Sequence, residues 1–293
     1  MATHVLENSA LRVEIDDRGA ELCRVYDREG GCERLWSADP AVWNRHAPIL
    51  FPFVGKVVDG KYRTGGREYA MKTQHGFARD REFACLEQTA QSLTQELCAD
   101  EESKRIYPFD FRLRVAHRLD AEDARLLHIE WAVTNEGDAP MYFAIGGHPG
   151  FLVPEGARKE DCFLAFPGRE RLRYISADSA GFALPDAVHE LTLCAGVSPC
   201  GETLPETWIF EDGQLDAVEL RRPDKSPWVT LNCAGFPLLA VWAKADGPFV
   251  CLEPWYGRTD DAGFTGELAD KVSEQRLNAG ETKRYTYSIR FHR

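Results

Sequence analysis

Apolar and polar residues alternate with a period of two along most of this chain, and no other feature constrains its fold as strongly. Leu11, Val13 and Ile15 alternate with Arg12, Glu14 and Asp16, and Phe109, Phe111, Leu113 and Val115 alternate with Asp110, Arg112 and Arg114. Near the C-terminus, Tyr285, Tyr287, Ile289 and Phe291 alternate with Arg284, Thr286, Ser288 and Arg290. Successive side chains of a strand point to opposite faces, so each run turns one set toward a core and the other toward solvent. Between the runs lie Asp59-Gly60, Gly65-Gly66, Asn135-Glu136-Gly137-Asp138, Asp212-Gly213 and Asn278-Ala279-Gly280, where Gly and Asn accept the positive φ of tight turns. This rhythm predicts meandering antiparallel sheets. Helix signals are short: Ser37-Ala38-Asp39-Pro40 predicts a turn or two of helix around Val42 and Trp43, and residues 204–210 fit either helix or strand. No long amphipathic helix is available to cover a parallel sheet, and no low-complexity linker or fixed-period repeat divides the chain. The expectation is an all-β chain: a large antiparallel β-sandwich with few short helices, forming one domain over residues 1–293.

Charge narrows the partners. A formal net charge of −12 repels phosphate backbones and anionic membranes, and no basic run with interleaved aromatics overrides it locally, so neither nucleic acid nor a membrane is expected as a partner. Residues 1–11 lack the basic flank and apolar run of a secretory signal, and no stretch approaches the roughly 20 apolar residues of a membrane span, which reads as cytoplasmic. The nine cysteines are odd in number, scattered and without a C-x-x-C pair, a set that fits reduced thiols better than disulfides or a zinc site.

Three segments place an ionisable residue among glycine, proline or aromatic residues, a combination suited to a loop or strand end lining a pocket. They are Gln74-His75-Gly76-Phe77-Ala78-Arg79-Asp80, Ile145-Gly146-Gly147-His148-Pro149-Gly150-Phe151 and Cys251-Leu252-Glu253-Pro254-Trp255-Tyr256-Gly257-Arg258-Thr259-Asp260. The glycines around His148 and the restriction by Pro149 let an imidazole project from a rigid turn, and an imidazole with an ordinary pKa of about 6.5 is a good general acid near neutrality. A histidine of purely structural role fits the same local sequence. Glu253 follows the apolar run Phe249-Val250-Cys251-Leu252, where burial would raise its pKa toward that of a useful base; a strand-end glutamate paired with Arg258 is the alternative.

Together with Pro48-Ile49-Leu50-Phe51-Pro52-Phe53-Val54-Gly55-Lys56, these segments resemble the aldose 1-epimerase, or galactose mutarotase, family, in particular its shorter bacterial branch, and they occur in the family's order from about Trp43 to Asp260. The resemblance implies the galactose mutarotase-like sandwich and an isomerase that needs no metal or other cofactor. It implies that Glu253 removes the proton of the anomeric hydroxyl, that His148 protonates the ring oxygen, and that His75 holds the sugar near that oxygen. Lys56 stands where the family commonly has a sugar-binding arginine, and it lacks the planar fork of a guanidinium. Arg79 and Glu206 are further substrate-binding candidates. Among the aromatics Trp255, Tyr256, Trp242 and Phe53, Trp255 is the one expected to offer its face to a pyranose.

The implied substrate is a small-molecule sugar, an aldohexose or its phosphate. A hexose 6-phosphate would use Lys56, Arg79 and Arg81, although Arg81 also fits a solvated hairpin flank. A non-catalytic sugar-binding or sensing module would keep the cleft without the chemistry, and a facial triad of His75, His148 and Glu253 for iron lacks the short ligand spacings such sites usually show. A homodimer is compatible with the sequence but not required by it.

Overall fold

The computed structural model describes residues 2–200 and 207–293. Nine strands form one antiparallel sheet, in the order Val197–Pro199, Phe163–Ala165, Ala217–Arg221, Pro227–Asn232, Thr282–Phe291, Leu126–Asn135, Phe111–Leu119, Ser92–Cys98 and Ala84–Gln88. The C-terminal strand lies inside this sheet, with Trp131 opposite Tyr285 on one side and Val229 opposite Phe291 on the other. Tyr285, Tyr287, Ile289 and Phe291 are buried while Arg284, Thr286 and Arg290 are exposed, as the alternation requires.

A second, eight-stranded sheet runs in the order Ala183–Thr192, Arg171–Ala177, Trp208–Phe210, Leu238–Trp242, Phe249–Tyr256, Ile145–Gly147 and Ile49–Leu50, with Gly150–Leu152 also paired to Phe249–Tyr256. Rings from the two sheets meet between them: Tyr256 and Tyr285 have centroids 4.6 Å apart, and Phe151 and Phe291 lie at 6.3 Å. The inward-facing residues of both sheets form one core that runs from Leu113 and Ile129 through Ile289 to Val250 and Leu252. The result is the expected sandwich. A four-stranded N-terminal sheet, Thr3–Glu7, Leu11–Asp16, Leu22–Asp27 and Cys32–Glu33, flanks it.

One helical expectation is corrected and one ambiguity is resolved. Residues 37–46 turn without forming a helix. Among the described residues the α-helix instead spans Glu101–Ile106, where Asp100 accepts from the Ser103 N–H at 2.6 Å and Ser103 Oγ accepts from the Asp100 N–H, a reciprocal cap. Six residues carry no hydrophobic period long enough to see in sequence. Within the ambiguous 204–210 segment, Trp208–Phe210 is a strand. Among the described residues no helix is long and apolar enough to cross a membrane.

Candidate functional site

Strand Phe249–Tyr256 is flanked on both sides by other strands and has almost every residue buried. Its even positions, Val250 and Leu252, enter the core between the sheets, while Phe249 and Cys251 pack with Trp36, and Trp255 packs with Leu50 and Val54. Alternation therefore puts Glu253 on the face turned away from the main core, two residues from Cys251 and two from Trp255. Loops cover that face, so the Glu253 side chain is only 1 % exposed.

The neighbouring chain breaks its pairing between Ile145–Gly147 and Gly150–Leu152, and His148 sits in the break. Its backbone N–H donates to the Pro48 carbonyl at 3.2 Å, and the Gly150 N–H donates to the His46 carbonyl at 2.9 Å. Gly146 is required by close approach: a Cβ there would stand 2.5 Å from Cδ1 of Trp255. The imidazole is packed at 4.9 Å by the Trp43 ring, at 5.5 Å by Trp242 and at 5.6 Å by His75. Its Nε2 lies 3.4 Å from Glu253 Oε2.

His75 adopts φ = 65°, a left-handed conformation uncommon for a side-chain-bearing residue. Two bonds to Gly55 hold it there: its N–H donates to the Gly55 carbonyl at 2.6 Å, and its Nδ1 accepts from the Gly55 N–H at 3.0 Å. A ring that accepts at Nδ1 carries its proton on Nε2 when neutral, and burial next to His148 and Arg79 holds its pKa well below the usual histidine value.

These residues line one cavity of about 340 Å³, together with Lys56, Arg79, Trp43, Trp242 and Trp255. Burial drives the Glu253 carboxyl well above its ordinary pKa, with the Trp255 side chain opposing the shift, and lowers His148 to about 3 with help from the charge of Arg79. Both shifts favour the uncharged forms, a protonated carboxyl beside a neutral imidazole. Four buried polar atoms of the cavity residues have no hydrogen-bond partner: Glu253 Oε2, His148 Nδ1, Trp255 Nε1 and Arg79 Nε. An unpaired buried polar atom costs roughly 1–3 kcal/mol, so four of them on residues that line one cavity favour a polar ligand there.

The match to the aldose 1-epimerase family model covers residues 2–182. The chain is 30% identical over 295 residues to the chromosomal and the plasmid-encoded protein LacX of Lactococcus lactis subsp. lactis, covering 97% of this chain and of each relative. The chain belongs to the aldose 1-epimerase family. A galactose mutarotase related enzyme from Lactobacillus acidophilus superimposes with a TM-score of 0.93 at 31% identity, over 100% of this chain and 98% of that one. A galactose mutarotase-like protein from Lactobacillus casei ATCC 334 gives 0.85 at 29% identity, over 99% and 100%. The fold of this aldose 1-epimerase family member is thus the galactose mutarotase-like sandwich, and its membership supports a mutarotase-like function on a sugar.

The other predicted positions of this family member divide. Lys56 lines the cavity, but its ammonium donates to the Ala180 carbonyl at 2.6 Å, tying it to the turn before strand Ala183–Thr192. Arg79 also lines the cavity, with Nη2 on the Gln74 carbonyl at 2.8 Å. Arg81 pairs with Glu102 at 2.7 Å and is not among the cavity residues. Glu206 lies outside the described residues. Phe53 is fully buried against Tyr62, and the Tyr256 hydroxyl donates to the Gly235 carbonyl at 2.7 Å, so neither lines the cavity. Arg258 pairs with Glu211 and Asp261 at 2.7 and 2.6 Å, leaving Glu253 to His148. Sequence reasoning missed Trp43, Gln74, Thr207, Lys244 and Thr259 on the wall. It also missed that, among the described residues, His148, Cys251 and Glu253, rather than His75, His148 and Glu253, form a cluster that could hold a metal, with ligand atoms within 4.8 Å of one another. The i, i+2 spacing of Cys251 and Glu253 on a strand was the signal available.

Proposed function

We propose that this protein is a mutarotase that interconverts the α and β anomers of an aldohexose, with Glu253 and His148 as its proton-transfer pair. The supporting observation is their 3.4 Å separation in a cavity of about 340 Å³, where Trp255 Nε1 and Arg79 Nε are also buried without a hydrogen-bond partner. Ring opening needs one group to take the O1 proton and one to protonate O5, and reclosure reverses both transfers. Sugar hydroxyls, the Trp255 N–H and Arg79 favour the charged carboxylate, so binding draws the carboxyl proton from Glu253 to His148. Glu253 then accepts from O1–H while His148 donates to O5, the bond between C1 and O5 opens, the aldehyde rotates, and closure returns the protons. His75, with its proton on Nε2, holds the sugar near the ring oxygen, and Trp255 packs on its C–H face. Lys56 and Arg79 orient hydroxyls.

Freshly dissolved α-glucose or α-galactose tests the reaction: the protein accelerates the decay of optical rotation. No acceleration across a range of hexoses and their phosphates rejects it, and tight calorimetric binding without anomeric exchange makes the protein a sugar sensor instead. Among the described residues the wall carries Lys56, Arg79 and Lys244 against the single carboxylate of Glu253, which favours a phosphorylated sugar as the second reading. Competition between glucose and glucose 6-phosphate separates the two.

A further inference from the structure

We propose that His148, Cys251 and Glu253 form an inhibitory site for a thiophilic divalent cation of the zinc class at the floor of the cavity. One nitrogen, one sulfur and one carboxylate oxygen lie within 4.8 Å of one another, on three buried side chains. The His148 Nε2 to Glu253 Oε2 distance of 3.4 Å already matches the edge of a tetrahedron, about 3.3 Å for metal–ligand bonds of ~2.0 Å. Cys251 and Glu253 are fixed on one face of a strand held between two neighbours, so a rotamer adjustment of Cys251 closes the third edge.

A second observation points to a ligand independently of this spacing. Glu253 Oε2 is buried without a hydrogen-bond partner, on a side chain only 1 % exposed, and the same residue lines the cavity through which an ion would enter. The donor set decides the class of ion. A thiolate with an imidazole and one carboxylate suits zinc, whereas magnesium and calcium prefer all-oxygen shells. His148 and Glu253 line the cavity whereas Cys251 packs behind them with Trp36 and Phe249, so water or a sugar hydroxyl would fill the fourth position from the cavity side.

The same geometry makes the ion an inhibitor instead of a resident group. Metal-ligating histidines normally fix their second nitrogen by a hydrogen bond, and His148 Nδ1 has no partner. Binding is therefore reversible by chelators, and it occupies both groups assigned to proton transfer. Coordination replaces the thiol proton of Cys251, and the carboxyl proton of Glu253 where it carries one; both pass to bulk water with no change of oxidation state.

The test uses the full chain stripped with a chelator and contains no sugar, so its failure is distinct from failure of the mutarotase reading. Zinc chloride is titrated by calorimetry, and cobalt(II) is added in parallel to detect the thiolate-to-cobalt charge-transfer band. One equivalent of zinc binds the native chain, excess magnesium does not displace it, and Cys251→Ala weakens it at least about tenfold, since even second-shell changes cost about 10–100-fold. Cys251→Ser serves if the alanine variant does not fold. The proposal is overturned if zinc does not bind, if it binds the Cys251 variants as tightly as the native chain through exposed thiols, or if the cobalt complex lacks the thiolate band.

Discussion

Two buried groups of charged residues treat their carboxylates in opposite ways. At the rim of the N-terminal sheet, Asp27 accepts from Arg34 Nη1 at 3.0 Å, from both Arg125 Nη groups at 2.8 and 3.0 Å, and from the Gly30 N–H at 2.9 Å. Arg34 also donates to the Trp228 and His292 carbonyls, and its guanidinium lies 3.3 Å from the Trp228 ring centroid. Despite its burial, Asp27 is held below the usual carboxylate range by these donors. Glu253, equally inaccessible, has an unpartnered oxygen and a pKa driven upward. Burial alone does not tell the two apart; completion of the hydrogen bonds does. The Asp27 carboxylate is fully hydrogen-bonded by the protein, although Arg34 Nε and Arg125 Nε beside it have no partner, whereas Glu253 keeps an unpartnered oxygen that a ligand can complete.

That contrast breaks most visibly on exchange. Removing a general acid or base costs typically 10²–10⁴ in rate, so His148→Gln lowers kcat by that range while the folded protein and its melting temperature persist. A variant within tenfold of native kcat would remove His148 from the reaction. Asp27→Asn should do the reverse. Breaking a buried pair costs about 3–5 kcal/mol, read as a lower midpoint in urea, with kcat of the folded protein unchanged. A loss of kcat with unaltered stability would merge the two groups.

Acid sharpens the comparison through histidine. His117, buried on strand Phe111–Leu119 of the nine-stranded sheet, is lowered to about 4 and His148 to about 3, both mainly by burial. Because the unfolded chain takes up these protons near pH 6.5, the stability gained from neutral histidines is complete above pH 6.5 and is lost as pH falls toward 4 and then 3. His117→Gln removes on the order of 3 kcal/mol of that pH dependence, measured by urea unfolding from pH 7 to 4. An unchanged slope would show that His117 is not buried as a neutral ring. The smallest effect belongs to Lys56→Met. Its ammonium already serves the Ala180 carbonyl at a partly exposed position, so KM rises only about fivefold, near 1 kcal/mol. A hundredfold rise would make Lys56 a principal sugar contact.

The sandwich was legible because alternation reports directly which face of a strand is buried, and Tyr285 to Phe291 show it without interruption. Helix Glu101–Ile106 was not, since its cap of Asp100 and Ser103 is a local hydrogen-bond pattern within a polar stretch. In the cavity, His75, His148 and Glu253 were visible through the glycine, proline and aromatic residues beside them. Trp43 and Lys244 were not, because they come to the wall from separate loops and only tertiary packing brings them there. The partner of Lys56 was hidden for the same reason: Ala180 contributes a backbone carbonyl, which leaves no trace in residue identity.

The most direct test of the account is the rate of exchange between sugar anomers, measured by saturation-transfer NMR with the native chain and with Glu253→Gln at matched concentration. The account predicts enzyme-dependent exchange with the native chain and its loss by 10²-fold or more in the variant, which remains folded because Gln keeps the shape of a carboxyl whose neutral form burial already favours. Native-level exchange with Glu253→Gln would contradict it.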